Sequence, residues 1–313
     1  MNESLPDDAT LKELWEASVN LARGAGEVLL RYRPGSTHVD FKGKGDTDPV
    51  TEADLRVEEY LRDRITKEFP GHAIVAEESE ESPATHDAEY VWAIDPVDGT
   101  ANFAAGVPFF AVSIGLLHGG RPVVSSMFLP NTLAGDGVLS ARAGGGAFDE
   151  NGPLTALTGS APRPSGLVGV PSGFARAFSV TRQGGGGLGE PRIMGSIACE
   201  LALVARGVLQ YSLLTSPRVW DVAAGVLLVQ EAGGEVLVWR DGDWRSFERF
   251  PVSPPEGGRD PRRGLRGPSY PMLAGGRGIA AHVASRVRPR QRPLVVTLAR
   301  RLGLRRSGRR GHR

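Results

Sequence analysis

Cysteine is almost absent from this chain of 313 residues: Cys199 stands alone. No internal disulfide can form, which fits a reducing compartment. Long apolar runs are missing too, and none approaches the ~18 residues of a membrane-spanning helix. The opening residues, MNESLPDDAT, are acidic and hold no apolar core of the kind a secretory signal needs. The cytoplasm is the expected location. The six histidines are scattered and make no HExxH pair. There is no GxSxG nucleophile elbow and no glycine fingerprint for a dinucleotide. The GGGG at 184–187 is followed by no Lys-Ser/Thr, so it is not a phosphate-binding P-loop. Cys199 lies in an apolar helical stretch and reads as a small core residue rather than a nucleophile.

What remains is ordinary in bulk and uneven in charge. The chain is 40% hydrophobic and 23% charged, as expected for a globular protein with a sizeable core. Its net charge of +1 hides an asymmetry: eleven arginines and no acid lie in 286–313, which leaves 26 basic against 36 acidic residues elsewhere. An acidic body is a poor nucleic-acid binder but suits a protein that concentrates divalent cations. The Arg-rich tail has two readings. It is a basic amphipathic segment that contacts an anionic membrane or nucleic acid, or a disordered solubilising tail. With only four lysines in the chain, arginine bias is general and favours the second.

Periodicity gives the elements. Leu11, Leu14, Trp15, Val19, Ala22, Ala25 and Leu29 mark a helix over 10–31, and a second runs from 51 to 69 before Pro70-Gly71. Residues 36–47 read as a mobile polar loop. Strands are expected at 72–79 and 90–95, a hairpin at 109–129 across Gly119-Gly120, and a strand pair within 137–148. The second half offers a strand in GLVGVPSG, a helix at 195–207, a helix from about 221 to Gly233-Gly234, and the strand EVLVW. Residues 240–273, rich in Pro, Gly and Arg, read as a long surface loop, after which MLAGGRGIAAHVASRV resumes a strand and a helix. The expected class is α+β. The division is an N-terminal half (1–150) carrying most of the acidic positions, a C-terminal half (151–287) and the tail (288–313).

Six acidic residues fall where elements end: Asp48, Asp54, Glu77, Asp95, Asp98 and Asp221. Singly, each has a structural explanation. Thr51 to Asp54 fits a capping box, Asp221 is a suitable N-cap, and the acids after Ala76 fit a solvated run. In VWAIDPVDGT, Pro96 and Gly99 mark a turn. Together the six fit a divalent-metal site, because Mg²⁺ prefers hard oxygen ligands and a few carboxylates. Clustered carboxylates repel one another, which makes bound cations a physical expectation.

Four stretches in order, DPVTEAD (48–54), AEES (76–79), WAIDPVDGTANF (92–103) and WDVAAG (220–225), resemble the motifs of the inositol monophosphatase family. GSIACEL (195–201) is similar to its Gly-Ser-Ala-Ala helix start. The similarity spans roughly residues 10–287. It implies a layered α-β-α-β-α sandwich, like that of inositol monophosphatase and fructose-bisphosphatase, usually as a homodimer. It also implies lithium-sensitive hydrolysis of a small phosphorylated metabolite with about two to three Mg²⁺ ions per site. Carried over by position, Glu77, Asp95 and the Val97 carbonyl hold one ion, and Asp95, Asp98 and Asp221 a second. Glu77 shares a third through water. Glu77 and Thr100 orient the attacking water, with Asp48 and Thr51 behind them. Asp98, Gly99, Thr100, Gly195, Ser196 and Asp221 form the substrate side, where Gly99 and Thr100 offer amides to phosphate.

One departure bears on the substrate. Inositol-specific members carry an acid seven positions before the Trp-Asp aspartate, and here that position is Leu214. An apolar side chain cannot accept hydrogen bonds from a polyol. Histidinol phosphate, 3′-phosphoadenosine 5′-phosphate and a sugar bisphosphate stay open as substrates. A reading of another class, an inactive metal-binding scaffold tethered by the tail, is disfavoured by the presence of both Glu77 and Asp221.

Overall fold

Strands that are apolar on both sides need cover on both sides. Residues 91–98 and 111–118 are buried throughout, and this requirement shapes the molecule. The structure is a computed structural model and describes residues 4–32, 39–41, 49–79, 88–132, 135–181, 187–252, 265–266 and 270–290.

The first half runs α1 (Asp8–Leu29), β1 (Val39–Phe41), β2 (Pro49–Thr51), α2 (Glu52–Glu68), β3 (Ala73–Ala76), β4 (Tyr90–Asp98), α3 (Thr100–Ala105), β5 (Ala111–His118), β6 (Arg121–Thr132), β7 (Gly135–Arg142), β8 (Gly146–Asp149) and β9 (Gly152–Pro153). The second half runs β10 (Leu167–Gly169), α4 (Phe174–Ala177), β11 (Phe178–Val180), β12 (Glu190–Arg192), α5 (Ile197–Ala205), β13 (Tyr211–Leu214), α6 (Val219–Glu231), β14 (Glu235–Arg240), β15 (Asp243–Ser246), β16 (Met272–Gly275), α7 (Ile279–Arg286) and β17 (Val287–Pro289).

Strands β3 to β9 form a seven-stranded sheet in chain order, with β3 parallel to β4 and the other pairs antiparallel. A six-stranded mixed sheet has the order β12-β10-β13-β16-β14-β15. Helices α1 and α2 cover the outer face of the larger sheet. Leu11, Leu21, Val57 and Leu61 meet Trp92, Ile94, Ile114 and Leu116 there. Helices α5 and α6 lie between the two sheets and pack on both. Because it is enclosed, α6 is apolar nearly all round, with ten of its residues buried. Helix α7 covers the far face of the smaller sheet through Ile279, Ala280 and Val283. The layers are therefore α-β-α-β-α, as the resemblance implied. Among the described residues, no helix is long and apolar enough to cross a membrane.

Four expectations need correction. Within 36–47, Val39–Phe41 is a strand paired with β2, and 42–47 lie outside the described residues. Asp221 is not an N-cap: the helix begins at Val219, Arg218 is the N-cap, and Asp221 is the third residue of the first turn. Helix α5 starts at Ile197, with Ser196 capping it by accepting the Cys199 amide at 3.2 Å. The stretch 240–273 is not all surface loop. Asp241 and Gly242, both at positive φ, turn β14 into β15, and Leu265 is 6% exposed against Ala73, Val75 and Trp220. Residues 253–264, 267–269 and the tail from 291 lie outside the described residues.

Candidate metal centre

Successive residues of a strand point to opposite faces, so carboxylates three apart should diverge. In β4 they do not. Asp95 pairs with Ser113 and Asp98 with Ala111, so β4 holds one residue more than β5 between them. The extra residue is a bulge at Pro96-Val97, where proline supplies no amide to the ladder. The bulge brings the two carboxylates within electrostatic reach of each other. Turn and carboxylate placement are thus one feature.

The chain then turns sharply at Gly99, whose φ is +96°. A Cβ there would lie 2.8 Å from the Phe109 carbonyl oxygen and 3.1 Å from the Ser196 Cβ, so only glycine lets these segments approach. Asn102 ties them further: its Nδ2 donates to the carbonyls of Phe109 at 2.7 Å and Met194 at 2.8 Å. Ser196 Oγ and the Ala198 amide both donate to Asp98 Oδ2 at 2.5 Å. A β4 residue thereby helps cap α5. Val97 N donates to Asp95 Oδ1 at 3.1 Å, and Arg218 N donates to Asp221 Oδ2 at 2.7 Å. Each of the three aspartates keeps a second oxygen outside these bonds.

Asp95, 1% exposed, is the electrostatic centre. Burial pushes its carboxyl well above the usual range, and the charges of Glu77, Asp98, Asp221 and Asp54 push it further. Asp221 is also raised well above its usual range, by burial first and then by Asp98 and Glu77. Burial raises Asp98 to about 6, against hydrogen bonds from Ser196, Ala198 and Ile197 that pull it down. Among the described residues, no three acidic, histidine or cysteine side chains converge closely enough to hold a metal ion between them as they stand. The aspartates are held instead by protein donors, at a junction of β4, α5 and α6.

Behind this junction, the Thr51 amide and hydroxyl donate to Asp54 Oδ2 at 2.8 and 2.6 Å, which bears out the capping box. Thr100 Oγ1 stands 3.1 Å from Asp54 Oδ1 and 3.0 Å from the Val97 carbonyl, so its single hydrogen chooses between them. Asp48 lies outside the described residues. Cys199 is buried and its thiol is pushed up to about 12, consistent with a core role. Sequence reading missed Asn102, the Ser196–Asp98 bond and the buried Glu200. All three are contacts between distant segments or against the core, and no local pattern announces them.

A sequence profile described as the inositol monophosphatase family matches residues 10–258. The chain belongs to the inositol monophosphatase family. Among curated relatives, an Aquifex aeolicus protein named fructose-1,6-bisphosphatase/inositol-1-monophosphatase is 31% identical over 229 residues, covering 72% of this chain and 85% of that one. A Nus factor SuhB from Escherichia coli is 36% identical over 227 residues, covering 70% and 82%. Among solved structures, an inositol monophosphatase from Anabaena is 29% identical, with a TM-score of 0.66 over 88% of this chain and 95% of that one. Inositol monophosphatase family proteins are phosphatases of small phosphorylated compounds and are generally metal-dependent.

Proposed function

We propose that the protein is a Mg²⁺-dependent phosphomonoesterase acting on a small phosphorylated metabolite. The observation that carries this reading is the set of like charges acting on Asp95 in a buried junction. The donor set fits a hard divalent cation: it is all oxygen, partly buried and mutually repelling. Glu77, Asp95 and the Val97 carbonyl would hold one ion, and Asp95, Asp98 and Asp221 a second, with Glu77 reaching a third. When bound, the ions supply the acidity that makes a water nucleophilic at neutral pH and the positive charge that offsets the leaving oxygen.

The protein's own groups do the positioning. Glu77 and the Thr100 hydroxyl direct the water. Thr51 and Asp54 fix Thr100 from behind, as the bonds at 2.6 and 3.1 Å support. The Gly99 and Thr100 amides, with Gly195 and Ser196 packed close beside them, would face the phosphate side. Asp98, bound to Ser196, keeps the two sides in register. Asp48 joins this set by resemblance alone.

Leu214 is 4% exposed and packs in the core between the sheets, opposite Met272 in the ladder. It offers no acceptor to a polyol, which counts against inositol phosphate and leaves histidinol phosphate, 3′-phosphoadenosine 5′-phosphate and a sugar bisphosphate open. A homodimer belongs to the same reading. A second reading, in which the chain serves mainly through a macromolecular partner, draws on the relatives named Nus factor SuhB.

Phosphate release from inositol 1-phosphate, histidinol phosphate, adenosine 3′,5′-bisphosphate and fructose 1,6-bisphosphate tests the proposal. Turnover of one compound with Mg²⁺, abolished by chelator and inhibited by Li⁺, is the expected result. Silence across the panel in protein that binds Mg²⁺ would favour the second reading.

A further inference from the structure

Arg266 lies beyond the segment matched by the family profile, which ends at 258. Its Nη2 donates to the carbonyls of Ala76 and Ser79, on the two sides of the corner that carries Glu77. The same guanidinium lies over the Trp220 ring, with Cζ 4.9 Å from the ring centroid. The Arg266 carbonyl accepts from Arg218 Nη1 at 3.3 Å, and the Arg218 amide is the donor that holds Asp221. Leu265 beside it is buried against Val75 and Trp220. Two adjacent residues thus join the end of β3 to the start of α6.

The junction needs such a link. Glu77 and Asp221 stand on segments far apart in sequence, and their charges repel. A guanidinium donates to two carbonyls while its flat face lies on an indole; an ammonium has the donors but no flat face to stack and sits on a differently shaped stem. It also places positive charge beside the acidic corner.

We propose that Arg266 is a positioning residue of the metal centre, holding the Glu77 corner against the start of α6 so that Glu77 and Asp221 face one another ahead of cation binding. This inference rests on the reading of the acidic junction as a metal site. It gives a segment outside the family match a part in shaping a site built from the family's motifs.

The test is calorimetric titration of Mn²⁺ into the full-length, metal-stripped protein, as wild type, Arg266→Ala and Arg266→Lys, with thermal unfolding of each in chelator. Arg266→Ala is expected to weaken Mn²⁺ binding about ten-fold or more, the scale of lost second-layer support at metal sites. Its melting curve in chelator should match the wild type, and Arg266→Lys should recover only part of the affinity. Wild-type affinity in Arg266→Ala overturns the proposal. If Arg266→Ala melts early, Arg266→Lys decides: weaker binding supports the proposal and wild-type affinity overturns it. A wild-type protein that binds no Mn²⁺ overturns the metal reading itself, a separate result.

Discussion

At the start of α2 the Thr51 amide donates to Asp54 Oδ2 at 2.8 Å; at the start of α6 the Arg218 amide donates to Asp221 Oδ2 at 2.7 Å. Both aspartates sit at the third position of a first turn and satisfy an amide that the helix cannot. Their surroundings then separate them. Asp54 also takes hydroxyl bonds from Thr51 and Thr100, which counter the effect of its burial. Asp221 faces Asp98 and Glu77, whose charges add to the effect of its burial. A local rule places the carboxylate; what the rest of the chain brings opposite decides whether it braces a neighbour or waits for a cation.

Exchange of each aspartate should break the symmetry between the two helix starts. Asp221→Asn is expected to lower Mg²⁺-dependent phosphate release by more than ~100-fold, beyond the usual cost of losing an outer support. Comparable turnover in this variant would remove Asp221 from the ligand set.

Glu200 shows what burial does with less crowding. It is 5% exposed, hydrogen-bonded by Ser212, and raised by burial from 4.5 to about 7. Between those values the folded chain keeps a proton that the unfolded chain has lost. Stability must therefore fall as pH rises from about 4.5 to about 7, by about 3 kcal/mol at the full shift. Glu200→Gln should flatten that part of the pH profile in urea unfolding. An unchanged slope would assign the pH dependence to other groups.

The smallest effect is expected at Asp54, which acts through Thr100. Asp54→Asn should cost about ten-fold in activity and about 1 kcal/mol of stability from the weakened cap. A loss equal to that of Asp221→Asn would mean that Asp54 belongs among the ligands.

Much of this was legible in the sequence. The unbroken apolar runs of β4 and β5 and the turn at Gly119-Gly120 are local, and they gave the strands and their hairpin. DPVDGT gave the turn because Pro96 and Gly99 have few other uses in that spacing. The strand Val39–Phe41 was hidden because three residues carry too little pattern. Asp221 was misplaced as an N-cap because its helix starts with Val219 and Trp220, which no capping rule favours. Arg266 could not be found at all, since its partners lie 48 and 190 positions away and only the fold brings them together. Motifs within one element were readable; bonds that join elements were not.

The central claim is that like charges are buried together to receive divalent cations, and thermal unfolding of metal-stripped wild type and Asp95→Asn with rising Mg²⁺ tests it most directly. Binding to the folded state alone at 100 times the dissociation constant adds about 2.7 kcal/mol. Mg²⁺ is expected to raise the wild-type midpoint saturably and beyond an ionic-strength control. Asp95→Asn, relieved of one buried carboxylate, is expected to melt no lower than wild type in chelator and to respond weakly to Mg²⁺. An indifferent wild type, or an Asp95→Asn that responds as strongly, would contradict the claim.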